Sequence, residues 1–109
     1  IIHINDVCNI IYLQIKRIKK INNNTFNIGG GIQNAISLKK LTFKCQKITK
    51  NKVSIDKIKS TSSFDIPYFV TDNSKIYKFY KWKPSYNIDF ILKDIYIWLK
   101  KYKNLRKYF

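Results

Sequence analysis

An α/β unit, with short strands alternating with amphipathic helices, is the fold class the sequence predicts. Three observations lead there. Apolar residues recur at helical spacing in four stretches, short β-favouring runs stand between them at 25–28, 53–58 and 68–70, and Asn, Gly, Ser and Pro clusters punctuate the boundaries. The strands are too few for a complete parallel sheet, because no succession of strand–helix–strand crossovers is present. That shortfall, with a first helix apolar over a wide arc, predicts a piece of a larger fold.

Asp6 or Asn5 is the expected cap of the first helix, where Val7, Ile10, Ile11, Ile15, Ile18 and Ile21 recur and the helix runs to about Lys20. Asn22-Asn23-Asn24 ends it, and Thr25-Phe26-Asn27-Ile28 reads as a strand leading into Gly29-Gly30-Gly31. Ser37 caps a second helix, striped by Leu38, Leu41, Cys45 and Ile48 and ending near Lys50; Lys40 cannot close a capping box as Glu would. Val53, Ile55 and Ile58 alternate with polar residues as in a strand, and Thr61-Ser62-Ser63 is loop-like. Pro67 excludes helix, Tyr68-Phe69-Val70 reads as extended, and Asp72 can cap a short helix carrying Ile76, Phe79 and Tyr80. Beyond Pro84, Ile88, Ile91, Leu92, Ile95, Trp98, Leu99 and Tyr102 form the cleanest amphipathic stripe.

Charge narrows the function. Twenty-two Lys and Arg against six acids give a formal +16. Only Arg17 and Arg106 are arginine, every acid is Asp, and the lysines are scattered among Ile, Asn and Tyr, which is compositional bias rather than a reader of nucleic acid. No nucleic-acid partner is therefore expected; the rival reading is a small basic module that binds nucleic acid through lysine–phosphate contacts. No apolar stretch approaches the ~20 residues that span a bilayer, so no membrane partner is expected, and laying the last helix on an anionic membrane is a weaker third reading. The chain lacks Met and opens on Ile1-Ile2, so it is expected to derive from a longer product. Its first residues do not resemble a signal peptide, which favours a cytoplasmic location. Cys8 and Cys45 lie far apart with His3 the single histidine, so no metal site is expected, and both cysteines read as buried free thiols.

The glycine triplet invites a phosphate-binding reading, which its spacing opposes. A dinucleotide fingerprint needs Gly-x-Gly-x-x-Gly opening directly into a helix. Here Ile32 to Ile36 delay the helix until Ser37, and no Gly-Lys-Ser/Thr comes after them. A turn using positive φ or close backbone packing is the favoured reading.

Four stretches, "IIHINDVC", "FNIGGG" followed by "ISLKKL", "DIPYFVTDNSKI" and "YKWKPSYNIDFILKDIYIWL", resemble in order and spacing the C-terminal part of NAD-dependent nucleotide-sugar epimerases and dehydratases of the extended short-chain dehydrogenase/reductase family. The wording of "DNSKI" and "WKP" is most similar to the CDP-paratose (tyvelose) 2-epimerase branch. The resemblance implies that the Rossmann half, the NAD site and the Tyr-x-x-x-Lys pair lie upstream. It implies an isomerase or dehydratase of carbohydrate metabolism in which NAD transiently oxidises the sugar and a tyrosine acts as acid and base. This chain would hold no catalytic or NAD-binding residue and be inactive alone, binding part of a nucleotide-diphosphate sugar, with a CDP-linked sugar as one candidate. The full-length protein would be a homodimer. By the same resemblance Asp65 stands where the family's Asp contacts the ribose, and Ser62 where an Arg clamps the diphosphate. Serine lacks the charge and the bidentate fork, which leaves Lys59 as the nearby substitute. Lys81 occupies the glycine position of the family's Gly-Trp-x-Pro, beside Trp82 and Pro84. His3 is expected to make a structural hydrogen bond, Asp6 to cap, Asp72 to Lys75 to form a cap and surface turn, and Tyr12, Tyr77 and Tyr96 to be core or surface aromatics.

Overall fold

In the computed structural model, which describes residues 1–21, 23–56, 64 and 66–102, the ordered elements are helices. They are α1 (Ile4–Lys16), α2 (Leu38–Thr49), α3 (Ser74–Tyr80) and α4 (Ile88–Lys101), with one 3₁₀ turn at Ile32–Asn34. The expected α/β alternation is corrected: no strand occurs among the described residues. Thr25–Ile28, Val53–Ile55 and Tyr68–Val70 have β-favouring side chains, but a strand exists only through a neighbour that takes its backbone hydrogen bonds. None of the three finds such a neighbour among the described residues.

The first helix starts earlier and ends sooner than the apolar pattern suggests. His3 is its N-cap, accepting the Asn5 N–H on Nδ1 at 3.1 Å, and Arg17 closes it after Lys16. Asp6 is thus not the cap. It lies inside the first turn, 2% exposed, and accepts the backbone N–H groups of Ser85 and Tyr86 at 3.0 and 3.3 Å. This carboxylate ties the start of α1 to the turn that launches α4. Because Nδ1 of His3 is an acceptor, its Nε2 carries the proton and donates to Asp94 of α4 at 3.1 Å. The His3 ring also stacks on Tyr86, with centroids 4.4 Å apart.

The core is small and sits where α1 meets α3 and the turn after it. Ile10, Ile76, Tyr80 and Trp82 are its buried members, packed against Ile2, Leu13, Ile21, Phe26 and Ile28. Arg17 reaches across to the C-terminal end of α3, donating to the Phe79 carbonyl at 3.2 Å. Asn34 is buried and donates from Nδ2 to the Tyr86 carbonyl at 2.8 Å, so the 3₁₀ turn joins the same knot of contacts. Ser37 caps α2 through the Lys40 N–H and Asn87 caps α4 through the Phe90 N–H.

Much apolar surface stays uncovered. Ile4, Ile11, Ile15 and Ile18 on and just beyond α1 are each about half exposed or more. Cys8 is exposed and Cys45 half-buried, both free, so neither is the buried thiol expected; Cys8 lies on the helix side away from Asp6 and Ile10. Helix α2 buries no residue fully and packs on α4.

Candidate functional site: a cleft beneath the glycine turn

Three stretches far apart in sequence meet around a cleft of about 510 Å³, lined by Gly31–Gln33, Val70–Ser74 with Tyr77, and Trp82–Pro84. Asn73 builds the junction. Its side-chain amide pairs with Gly29 on both sides, Oδ1 accepting from the Gly29 N–H at 3.0 Å and Nδ2 donating to the Gly29 carbonyl at 2.8 Å. One amide side chain therefore does for Gly29 what a neighbouring strand would do. Lys75 adds a second tie, donating to the Thr25 carbonyl at 2.9 Å with its ammonium 5.2 Å from the Phe26 ring.

The glycines serve packing and a turn. A Cβ on Gly30 would stand 1.6 Å from the Ile1 carbonyl oxygen, so another backbone fills the space a phosphate would need. Gly31 has φ 71° and ψ −176°, a region almost closed to residues with a Cβ. Beyond Gly31 the chain makes only a three-residue 3₁₀ turn, with no long helix axis behind it. These residues do not fit the pyrophosphate of NAD.

Asp72 is the acid at the cleft, which Lys83 also lines. Its Oδ1 accepts from both the Ser74 hydroxyl at 2.6 Å and the Ser74 N–H at 2.8 Å. Those two bonds, the hydroxyl first, hold its pKa below the ordinary aspartate value, while slight desolvation acts the other way. Asp72 is therefore an anionic acceptor at neutral pH, suited to receiving hydroxyl hydrogens and unsuited to supplying a proton. Beside it Tyr77 is exposed, so the wall offers one aromatic side chain to a ring, while Trp82 is buried in the core behind it. The arrangement can hold a hydroxylated ligand.

The two residues expected to touch substrate, Ser62 and Asp65, lie outside the described residues, as does Lys59. Of the remaining expectations, His3 makes structural hydrogen bonds, as predicted, and Lys81 adopts the left-handed conformation (φ 55°) that its glycine-like position requires. Asp72 sits one residue before the N-cap, Asn73, and its bond to the Ser74 N–H is the local turn the sequence suggested. Tyr12 and Tyr77 are exposed and Tyr96 is half-buried. Sequence reasoning missed the clamp by Asn73, which it placed in a surface turn. It also missed the basic groove between α2 and α4, where Lys40, Lys44 and Lys47 recur at i, i+4 and i+7 along one helix face, a signal that was present in the sequence.

Among the described residues no three His, Cys, Asp or Glu side chains stand close enough to share a metal ion, and no helix is long and apolar enough to cross a membrane. Comparison of the chain with protein-family models, with curated proteins and with solved structures gave no match.

Proposed function

We propose that this chain is the nucleotide-sugar-binding, C-terminal part of an NAD-dependent sugar-nucleotide epimerase or dehydratase, inactive by itself, with NAD held by another part of the same protein. The reading rests on the ordered resemblance of its motifs to that family. One observation carries it from sequence into space: the glycine turn, Val70–Ser74 and Trp82–Pro84 line a single cleft that holds an ionised acceptor, Asp72, together with Lys83. A hydroxylated, ring-bearing ligand such as a nucleotide-diphosphate sugar suits that chemistry. In this reading Asp65 accepts from the ribose and Ser62 gives the diphosphate one neutral hydrogen bond. The full-length protein works as a cytoplasmic homodimer.

The test uses the full-length parent, with calorimetric titration of CDP-, UDP-, GDP- and dTDP-linked sugars. One of the four is expected to bind, Asp65→Ala to weaken it about tenfold, and Ser62→Arg to tighten it through a bidentate, charge-assisted contact. Absence of binding by all four, or indifference to both substitutions, refutes the proposal. A parent without a dinucleotide fingerprint and a Tyr-x-x-x-Lys pair refutes it independently.

A further inference from the structure

The groove between α2 and α4 shares no lining residue with the cleft beneath the glycine turn. We propose that it is a docking site for an acidic amphipathic helix of a partner protein. Lysines from both helices line it, Lys40, Lys44 and Lys47 on α2 and Lys93 and Lys100 on α4, interleaved with the apolar side chains of Phe43, Ile48, Tyr96 and Ile97. Phe43 is 68% exposed and Ile97 53%, so the apolar lining is open to a visitor.

Charge and shape together select the occupant. Among the described residues the one acid paired with these lysines is Asp89, which meets Lys44, leaving a strong positive excess in the groove on both helices. At about 1180 Å³ the groove exceeds the ~300–1,000 Å³ usual for small ligands, so a macromolecular segment fits it better. Lysines at i, i+4 and i+7 present charge at the repeat of a facing helix, whose own acids recur every three to four residues. The apolar side chains between the lysines then receive that helix's Leu positions.

Nucleic acid and membrane fit less well. Among the described residues no arginine and no side-chain amide lines the groove for contact with base edges, and a phosphate backbone would gain nothing from Ile48 and Ile97. A bilayer surface would not enter a concavity between two helices.

The test is fluorescence anisotropy on the 109-residue chain at physiological salt. The probe is a labelled helical peptide of about 16 residues with a Leu face and a Glu face, long enough to hold its helix. Its control is a scrambled peptide of identical composition. The amphipathic peptide is expected to bind at least about tenfold tighter than the control. The Lys47→Glu, Lys93→Glu double variant should weaken it about tenfold or more, and Phe43→Ser severalfold, with helical circular dichroism unchanged because all three side chains are exposed. Equal affinity for the scrambled peptide overturns the proposal. So does unaltered binding in both variants, or tighter binding of an oligouridylate or of phosphatidylserine vesicles than of the peptide.

Discussion

Replacing Asp6 with Ala removes the carboxylate that joins the first turn of α1 to the Ser85–Tyr86 backbone, 79 and 80 positions away. A hydrogen bond to a charged acceptor contributes about 1.5–3 kcal/mol, and one at the long end of the distance range contributes less. We therefore assign about 2 kcal/mol to the 3.0 Å bond and about 1 kcal/mol to the 3.3 Å bond. Ser85 is exposed, so water can rehydrate part of what is lost, and about 3 kcal/mol is the upper end of the expected total. Asp6→Asn keeps the shape but turns one acceptor into an amide facing an N–H, at a cost of about 2 kcal/mol. For a chain of this size the Ala variant should melt about 12–20 °C lower. Urea unfolding followed through the fluorescence of Trp82, 4% exposed and close to the affected turn, reads the loss directly. The partly exposed Trp98 is changed to Phe in both proteins so that one reporter remains. A loss below about 1 kcal/mol for Asp6→Ala would refute the assigned role, since even a single buried bond contributes that much.

Lys81→Gly should stabilise the chain by about 0.5 kcal/mol, because relief of the left-handed strain outweighs the added entropy of the unfolded chain; a fall in the urea midpoint would contradict this. Gly30→Ala should cost about 3 kcal/mol or more and raise protease sensitivity around the turn, since its Cβ meets backbone rather than a movable side chain; a variant as protease-resistant as the parent would contradict the close approach to Ile1. The carboxyl of Asp72, followed by carbon-13 NMR, should titrate below the ordinary aspartate value of about 3.9, and Ser74→Ala should bring its midpoint back up. A depressed folded pKa means that the contribution of Asp72 to stability is present above the unfolded pKa and is lost as pH falls through the folded one. An unshifted midpoint in the parent would remove that contribution.

The helices were legible in the sequence because their signals are local. The stripe from Ile88 to Tyr102 and the Ser37 cap before Leu38 each declare themselves within a few residues, and α2 and α4 formed where the 3.6-residue period placed them. Strand propensity at Thr25–Ile28 was equally visible and misled, because a strand is a relation between two segments and the pairing group that reached Gly29 was an amide side chain from position 73. Asp6 shows the same division. A carboxylate near a helix start reads as a cap, yet the groups that claimed it were backbone N–H donors of the turn before α4.

By itself, then, the sequence determined where the chain coils, where it must turn and which residues carry charge, because those depend on neighbours within a turn or two. Tertiary structure alone decided that Asp6 is claimed by the backbone of Ser85 and Tyr86, that Asn73 clamps Gly29, and that lysines from two helices share one groove. Each of those depends on bringing together groups tens of residues apart, and the free energy that selects them exists only once the chain has folded.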